Sequence, residues 1–233
     1  MVPGHVTIGI LALQGAFAEH QVAFQKVSVR KRVVVVQVRT TAELDQCDAL
    51  VIPGGESTTI ALLARLSGLL DPLREFIARK PVWGTCAGAI LLARSVEGAK
   101  KGGQELLGGM SITIQRNGWG SQVESFEAPL DVCDLRDPQR PFTGVFIRAP
   151  VLLTLDTTPI DPPISVIARL PSSVLPRLVK NTLDQHDTDS QVTRTAVAIR
   201  QGRHFLTTFH PELTEDYRFH DYFVRECVLP EMR

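Results

Sequence analysis

The segment Gly84-Thr85-Cys86-Ala87-Gly88 constrains the fold of this chain more than any other stretch. It follows a strand-like run, 80–83, and leads into a helix-like apolar run, 89–93. A nucleophile with glycine two positions before and after it, between a strand and a helix, is the sequence form of a nucleophile elbow. The turn is so sharp that side chains at the glycine positions would clash. The motif therefore predicts a strand–turn–helix unit that lifts the Cys86 thiol out of a sheet and places the backbone N–H of Ala87 beside it, at a helix N-terminus.

Strand and helix signals alternate through the first half of the chain. Apolar runs typical of buried strands occupy Val6–Leu13, Arg32–Val38, Ala49–Ile52 and Val82–Gly84. Helical patterns occupy Ala16–Lys26, Thr58–Leu70 and Ala87–Ser95. This order predicts an α/β fold with a mostly parallel central sheet and helices on both faces. The second half predicts shorter strands, several of them antiparallel, and a closing helix; among these elements are Gln122–Phe126 and Thr214–Glu226.

The chain has 233 residues, a length that predicts a single domain over 1–233. Lys plus Arg and Asp plus Glu each number 25, so the net charge gives no attraction to nucleic acid or to an anionic membrane. We expect no membrane span and no signal peptide. Four widely spaced cysteines without a CxxC pair argue against a zinc site and a disulfide framework; they are Cys47, Cys86, Cys133 and Cys227. We therefore expect a reducing, cytoplasmic location and no metal.

A second motif, His210-Pro211-Glu212, follows the strand-like run Phe205–Phe209. Side chains two positions apart on extended backbone point the same way, so the Glu212 carboxylate can orient the His210 imidazole. With Cys86 as nucleophile this predicts a base and its orienter. The alternative is a polar turn in which Glu212 caps a helix and His210 is merely exposed; the elbow favours catalysis. The other histidines lack such a context and are interpreted as surface or core residues: His5, His20, His186, His204 and His220.

The stretch Pro53–Thr59, with sequence PGGESTT, follows the strand-like run Ala49–Ile52. Two glycines let the backbone approach a ligand closely, so this loop could give a second oxyanion donor beside Ala87. The alternative, compatible with the first, is a turn in which Ser57 or Thr58 caps the next helix. A phosphate-binding loop is disfavoured, because the stretch lacks the lysine of that motif.

Two arginines, Arg116 and Arg148, each stand beside a predicted strand end. Arginine binds carboxylates well through two parallel hydrogen bonds. Taken alone, each would ordinarily be a solvated surface side chain.

The chain resembles the class I glutamine amidotransferases, and among them the subfamily of glutaminase subunits of glutamine-dependent pyridoxal 5'-phosphate synthases. The matching segments run through nearly the whole chain: LALQG (11–15), PGGEST (53–58), WGTCAG (83–88), QRN (115–117), QVESF (122–126), FIRAP (146–150) and FHPEL (209–213). The departures are Trp119, where a smaller aromatic residue is expected, Gly118, where alanine is common, and a longer stretch over 180–194.

The resemblance implies a three-layer, flavodoxin-like α/β sandwich that hydrolyses L-glutamine to L-glutamate and ammonia. Cys86 would be the nucleophile, His210 the base and Glu212 its orienter, while Gly55 and Ala87 would bind the oxyanion. The implied glutamine contacts are Gly55, Glu56, Ser57, Arg116, Ile147 and Arg148, with Gln14 near both the site and the partner surface. The implied partner is a (β/α)8-barrel synthase that uses the ammonia to make pyridoxal 5'-phosphate, which is then a product and not a cofactor of this chain.

Two other functions remain open at this point. One is a different thiol hydrolase on the same elbow, such as a peptidase or esterase. The other is a non-catalytic scaffold that keeps the fold, which the intact Cys86, His210 and Glu212 disfavour.

Overall fold

The computed structural model describes residues 4–29, 31–99, 103–119, 125–171, 173 and 193–230. The strands are β1 His5–Leu11, β2 Arg32–Val38, β3 Ala49–Ile52, β4 Val82–Thr85, β5 Ala93–Glu97, β6 Met110–Gln115, β7 Ser125–Val132, β8 Phe142–Ile147, β9 Val151–Leu155, β10 Ile164–Arg169, β11 Ala196–Gln201 and β12 His204–Thr207. The α-helices are α1 Phe17–Lys26, α2 Thr41–Asp45, α3 Ser57–Leu66, α4 Leu70–Arg79, α5 Ala87–Leu92 and α6 Arg218–Tyr222. A 3₁₀ turn, Pro211–Leu213, follows β12, and a π-helical segment, Phe223–Val228, continues α6.

The central sheet has the strand order β2-β1-β3-β4-β12-β11-β10-β7-β8 within the described ranges. The neighbours from β2 to β12 run parallel, and those from β12 to β8 run antiparallel. A smaller sheet has the order β5-β6-β9. The predicted α/β class is confirmed, with the parallel part built from first-half strands and β12. Because β12 lies between β4 and β11, the central sheet contains strands from both halves of the chain.

Strand β3 shows how the two faces of the sheet are covered. Its successive residues alternate between two hydrophobic clusters, with Val51 in one and Leu50 in the other. The first cluster contains Phe24 of α1 and Phe219 of α6, and the second contains Ile60 of α3 together with side chains of α4. Both faces of the strand are therefore buried under helices, which explains its continuous apolar sequence.

Three predicted helices differ in the structure. The helix expected over Thr58–Leu70 ends at Leu66, and the next helix begins already at Leu70, because Gly68 adopts a φ of +71° between α3 and α4. The helix expected over Ala87–Ser95 ends at Leu92, and the chain continues as strand β5 beside β6. The closing helix begins only at Arg218, since Thr214 and Asp216 make turn hydrogen bonds before it.

Some predicted segments fall partly outside the described residues. These are 122–124 of the predicted strand Gln122–Phe126, 100–102 of the predicted loop 98–104, and 180–192 of the stretch 180–194. Among the described helices, none combines the length and the apolar composition needed to cross a bilayer.

Candidate active site

The nucleophile elbow forms as the sequence predicts. Cys86 lies between β4 and α5 with a φ of +48°, a conformation that non-glycine residues seldom adopt. A Cβ added to Gly84 would lie 2.5 Å from the Gly88 carbonyl oxygen. One added to Gly88 would lie 1.9 Å from the carbonyl oxygen of Ile52. Both glycines are thus required by close backbone approach, which confirms the steric reason for the motif.

The Cys86 thiol lies in a nearly closed site where α5 begins. The residue is 6% exposed, and its backbone N–H donates to the carbonyl of Thr207 at 2.9 Å, which ties the elbow to β12. Its Sγ lies 3.7 Å from the carbonyl oxygen of Ile147, at the end of β8. Ala87 is the first residue of α5. The elbow therefore meets the ends of strands β4, β8 and β12.

His210 and Glu212 form the predicted pair, at 2.7 Å between Nδ1 and Oε1. The prediction assumed extended backbone, but the two residues are joined by the 3₁₀ turn Pro211–Leu213. The turn brings the carboxylate back onto the ring, and the backbone N–H of His210 donates to Val145 at 2.8 Å. Both side chains are buried, so the alternative of an exposed histidine beside a capping glutamate is wrong.

The electrostatics of the pair favour a charged imidazole. Burial by itself would lower the pKa of His210, but hydrogen bonds to Cys86 and Glu212 outweigh burial and raise it to about 10. Burial opposes ionisation of Glu212, yet the imidazoles of His20 and His210 lower the pKa of its carboxyl. The arrangement can therefore hold a thiolate next to an imidazolium, the reactive form of a cysteine nucleophile.

The glycine loop lies directly against His210 and Cys86. A Cβ on Gly54 would lie 2.4 Å from Cε1 of His210 and 3.4 Å from the Cβ of Cys86. The loop is tied to the chain after β1 by two hydrogen bonds. The Gly54 carbonyl accepts from the N–H of Ala16 at 3.0 Å, and the Glu56 N–H donates to Oε1 of Gln14 at 2.8 Å. The expectation that Gln14 lies near the site agrees with this contact.

Glu56 caps helix α3, in place of the Ser57 or Thr58 cap that the sequence suggests. Its Oε2 accepts from the backbone N–H of Thr59 at 2.8 Å, and its Oε1 accepts from Nη2 of Arg116 at 2.9 Å. Partial burial would raise the pKa of Glu56, but hydrogen bonds from Thr58, Thr59 and Arg116 lower it to about 2. The carboxylate is therefore firmly ionised.

The remaining residues that the sequence predicts to contact substrate are Ser57, Arg116, Ile147 and Arg148. Arg116 also donates to Oε1 of Gln104 at 2.6 Å, so two side chains hold its guanidinium. Ile147 is 41% exposed, and Arg148 after it is exposed, with a φ of +44°. Ser57 is buried, and its hydroxyl lacks a hydrogen-bond partner among the residues that the structure describes.

Comparison with known proteins agrees with this geometry. The family model described as the SNO glutamine amidotransferase family matches residues 10–164 and 165–229. The chain belongs to this family. Among curated relatives, it is similar to the "Probable pyridoxal 5'-phosphate synthase subunit PDX2" of Arabidopsis thaliana, with 42% identity over 94% of this chain and 85% of the relative. It is also similar to the "Pyridoxal 5'-phosphate synthase subunit PdxT" of Chloroflexus aurantiacus (strain ATCC 29366 / DSM 635 / J-10-fl), with 40% identity over 94% and 99%.

A solved structure supports the fold of this member of the SNO glutamine amidotransferase family. It is titled "Crystal structure of glutamine amidotransferase", is 38% identical, and covers 95% of this chain and 98% of its own with a TM-score of 0.73. The resemblance found in the sequence motifs is thereby confirmed at the level of family and fold.

Sequence reasoning missed a pair of buried histidines, His20 and His220, of which His20 lies next to Glu212. His20 of α1 lies 3.5 Å from Glu212, and His220 of α6 lies against His20. The interpretation of both as surface or core residues left their burial open and did not include their contact with the pair. The signal in the sequence was that His20 shares the apolar face of α1 with Ala23 and Phe24. Within the described ranges, no group of three or more His, Cys, Asp or Glu is arranged to hold a metal ion.

Proposed function

We propose that this chain hydrolyses L-glutamine to L-glutamate and ammonia, as the glutaminase subunit of a pyridoxal 5'-phosphate synthase. The observation that carries the proposal is a buried cysteine, Cys86, on a nucleophile elbow, together with the buried pair of His210 and Glu212. Membership in a glutamine amidotransferase family and the names of the relatives supply the substrate and the pathway.

In the proposed reaction, the Cys86 thiolate attacks the side-chain amide carbon of glutamine. The resulting oxyanion accepts hydrogen bonds from the backbone N–H groups of Gly55 and Ala87, and losing one such donor typically costs ~100-fold or more in rate. The His210 imidazolium gives its proton to the departing nitrogen, so ammonia leaves and a glutamyl thioester remains. Neutral His210 then takes a proton from water, which attacks the thioester and releases glutamate. Glu212 keeps the imidazole oriented throughout.

We assign recognition of glutamine to Gly55, Glu56, Ser57, Arg116, Ile147 and Arg148. We assign the substrate carboxylate to Arg148, because a guanidinium can bind a carboxylate through two parallel hydrogen bonds. The exposed position of Arg148, one residue after the carbonyl that lies near Sγ, supports the same choice.

The partner in this proposal is a (β/α)8-barrel synthase subunit that takes the ammonia. We infer that its docking reorients the loop 53–57, which two hydrogen bonds hold in the present conformation. Equal turnover by the isolated chain and the complex would contradict this part of the proposal. We also propose a cytoplasmic location, supported by the four free cysteines, Cys47, Cys86, Cys133 and Cys227.

The experiment measures ammonia release from L-glutamine, with and without a barrel synthase subunit. It compares wild type with Cys86→Ala, and uses Cys133→Ala, at an exposed free cysteine, as the matched control. We expect partner-dependent release that Cys86→Ala abolishes and Cys133→Ala leaves unchanged. Ammonia release at the same rate with and without the synthase subunit would support glutaminase activity and reject the proposed partner. Absence of release under both conditions would reject the proposed function and favour a scaffold.

A second arm separates glutaminase from other thiol hydrolases. A glutamine-like electrophile, such as a diazoketone analogue, should label Cys86, and peptide and ester substrates should not be turned over. Turnover of peptides or esters without labelling by the analogue would favour the rival hydrolase.

A further inference from the structure

The two carboxylate oxygens of Glu212 have different surroundings. Oε1 accepts from Nδ1 of His210 at 2.7 Å. Oε2 is buried and lacks a hydrogen-bond partner among the described residues, and the polar group beside it is Nε2 of His20, at 3.5 Å. The side chains of Glu212 and His20 are both 0% exposed. This distance exceeds that of an ordinary hydrogen bond, so the contact is an electrostatic one between a ring nitrogen and a carboxylate that water does not screen.

The His20 ring is held by side chains from two elements of the fold, α6 and β4. Its Nδ1 lies 2.9 Å from Nε2 of His220 on α6, and its Nε2 lies 3.2 Å from Oγ1 of Thr85 on β4. It packs against Trp83 in a T-shaped arrangement, with ring centroids 5.4 Å apart and planes at 77°. His220 is also 0% exposed. A ring fixed in this way cannot turn away from Glu212 without breaking buried contacts.

The chemistry of the contacts selects the tautomer of His20. Burial lowers the pKa of His20 and of His220 to about 3, so both rings are neutral at pH 7 and carry one N–H each. A proton on Nδ1 of His20 would leave the Nε2 lone pair facing the Glu212 carboxylate, which is repulsive. A proton on Nε2 faces two acceptors, Oγ1 of Thr85 at 3.2 Å and the Glu212 carboxylate at 3.5 Å, and Nδ1 then accepts a hydrogen bond from Nε2–H of His220.

From this geometry we infer that His20 is a positioning residue: its Nε2–H, backed by His220, holds the Glu212 carboxylate so that Oε1 stays on the His210 imidazole. The part of this inference that concerns catalysis rests on the proposed function. The ionisable groups facing His20 are Glu212 and His210 from the segment after β12 and His220 from α6. Because His20 is neutral, it orients the Glu212 carboxylate without forming an ion pair that would compete with the ion pair between Glu212 and His210.

Two substitutions of similar volume separate the contacts of His20. His20→Gln keeps an amide N–H near the position of Nε2, whereas His20→Asn keeps a polar group near Nδ1 and loses the contact with Glu212. In the complex with the synthase, we expect His20→Asn to lower kcat for glutamine by roughly ten- to hundredfold with KM unchanged, less than loss of the orienting carboxylate itself. We expect His20→Gln to stay within about threefold of wild type, since it retains the donor.

A readout without glutamine makes the test independent of the proposed function. The rate at which iodoacetamide alkylates Cys86 in the isolated chain reports the thiolate that the His210 imidazolium stabilises. Between pH 6 and pH 8 we expect slower alkylation in His20→Asn and a wild-type profile in His20→Gln. If wild type fails to hydrolyse glutamine, the proposed function is rejected, while the alkylation profiles still decide the role of His20.

Three results would overturn the inference. One is a His20→Asn variant equal to wild type in kcat and in alkylation. Another is an equal loss in both variants, which would mean that the ring acts through packing alone. The third comes from wild type, so it holds even if a variant fails to fold: ¹⁵N NMR of the histidine rings showing His20 protonated on Nδ1, or charged, at pH 7. Neutral His20 protonated on Nε2 would support the inference.

Discussion

Glu212→Gln is the sharpest test of the His210–Glu212 pair, because it removes one charge and almost no volume. The carboxylate accepts from Nδ1 of His210 at 2.7 Å, in a site where both side chains are nearly closed off from water. The replacing amide offers a neutral oxygen or an N–H to the same nitrogen. In the second case His210 adopts the wrong tautomer and can no longer take a proton from the nucleophile.

The size of the effect follows from the pKa of His210. Its rise from 6.5 to about 10 corresponds to ~5 kcal/mol in favour of the imidazolium. Cys86 and Glu212 together produce this rise against the opposing effect of burial, so Glu212→Gln lowers the equilibrium constant that favours the thiolate–imidazolium pair by about tenfold for each pKa unit that Glu212 contributes. The tautomer effect adds to this loss, so we expect kcat to fall by roughly 100-fold or more.

The assay measures glutamine-dependent ammonia release in the synthase complex and iodoacetamide alkylation of Cys86 at pH 7. Glu215→Gln is the matched control, since it makes the same chemical change at an exposed position three residues away. Both rates should fall in Glu212→Gln and stay at wild-type level in Glu215→Gln. A Glu212→Gln variant with kcat and alkylation within about threefold of wild type would refute the reasoning, because the carboxylate would then neither charge nor orient His210.

Three further predictions concern the elbow, the buried histidines and the substrate. Gly88→Ala should lower the free energy of unfolding by about 4 kcal/mol or more in urea titrations, since its Cβ would lie 1.9 Å from the Ile52 carbonyl oxygen. Lowering the pH from 7 to 5 should cost about 2 kcal/mol of stability for each of His20 and His220, because the unfolded chain protonates near 6.5 and the folded rings near 3. Arg148→Gln should raise KM for glutamine by about tenfold or more, since a charged hydrogen bond contributes about 1.5–3 kcal/mol.

Controls make each of these predictions decisive. Gly68→Ala meets no atom within 4 Å and strains only a φ of +71°, so an equal loss at both glycines would contradict the clash argument. Removing the buried His220 should flatten the acid dependence of stability, whereas removing the exposed His5 should leave it intact; the reverse result would contradict the assignment. A larger KM effect in Arg116→Gln than in Arg148→Gln would assign the substrate carboxylate to Arg116.

The parts of the site that depend on short-range sterics could be predicted from the sequence. The glycines at 84 and 88 are required by backbone atoms a few ångströms away, and the pattern itself records that requirement. The pairing of His210 with Glu212 was also predicted, although a 3₁₀ turn and not strand alternation produces it. Either backbone brings the two side chains together, so the prediction held despite the wrong local geometry.

Element boundaries were less predictable. An apolar run such as Ala87–Ser95 suits a helix or a strand equally well, and pairing with β6 places its last three residues in strand β5. The cap of α3 was likewise decided by tertiary contacts. Glu56 is held by Arg116 from 60 residues away as well as by its own helix.

The sequence by itself determined the elbow, the class of fold, the pairing of His210 with Glu212, and the family. Only the tertiary structure decided the contacts between distant segments. These are the glycine loop against His210, the pairing of Arg116 with Glu56, and the contact of His20 with Glu212 and His220. The physical reason is the range of the interactions. Backbone sterics act over a few neighbouring residues and leave a readable pattern, whereas His20 and His220 are 200 positions apart and meet only because α1 and α6 pack on the same face of the sheet.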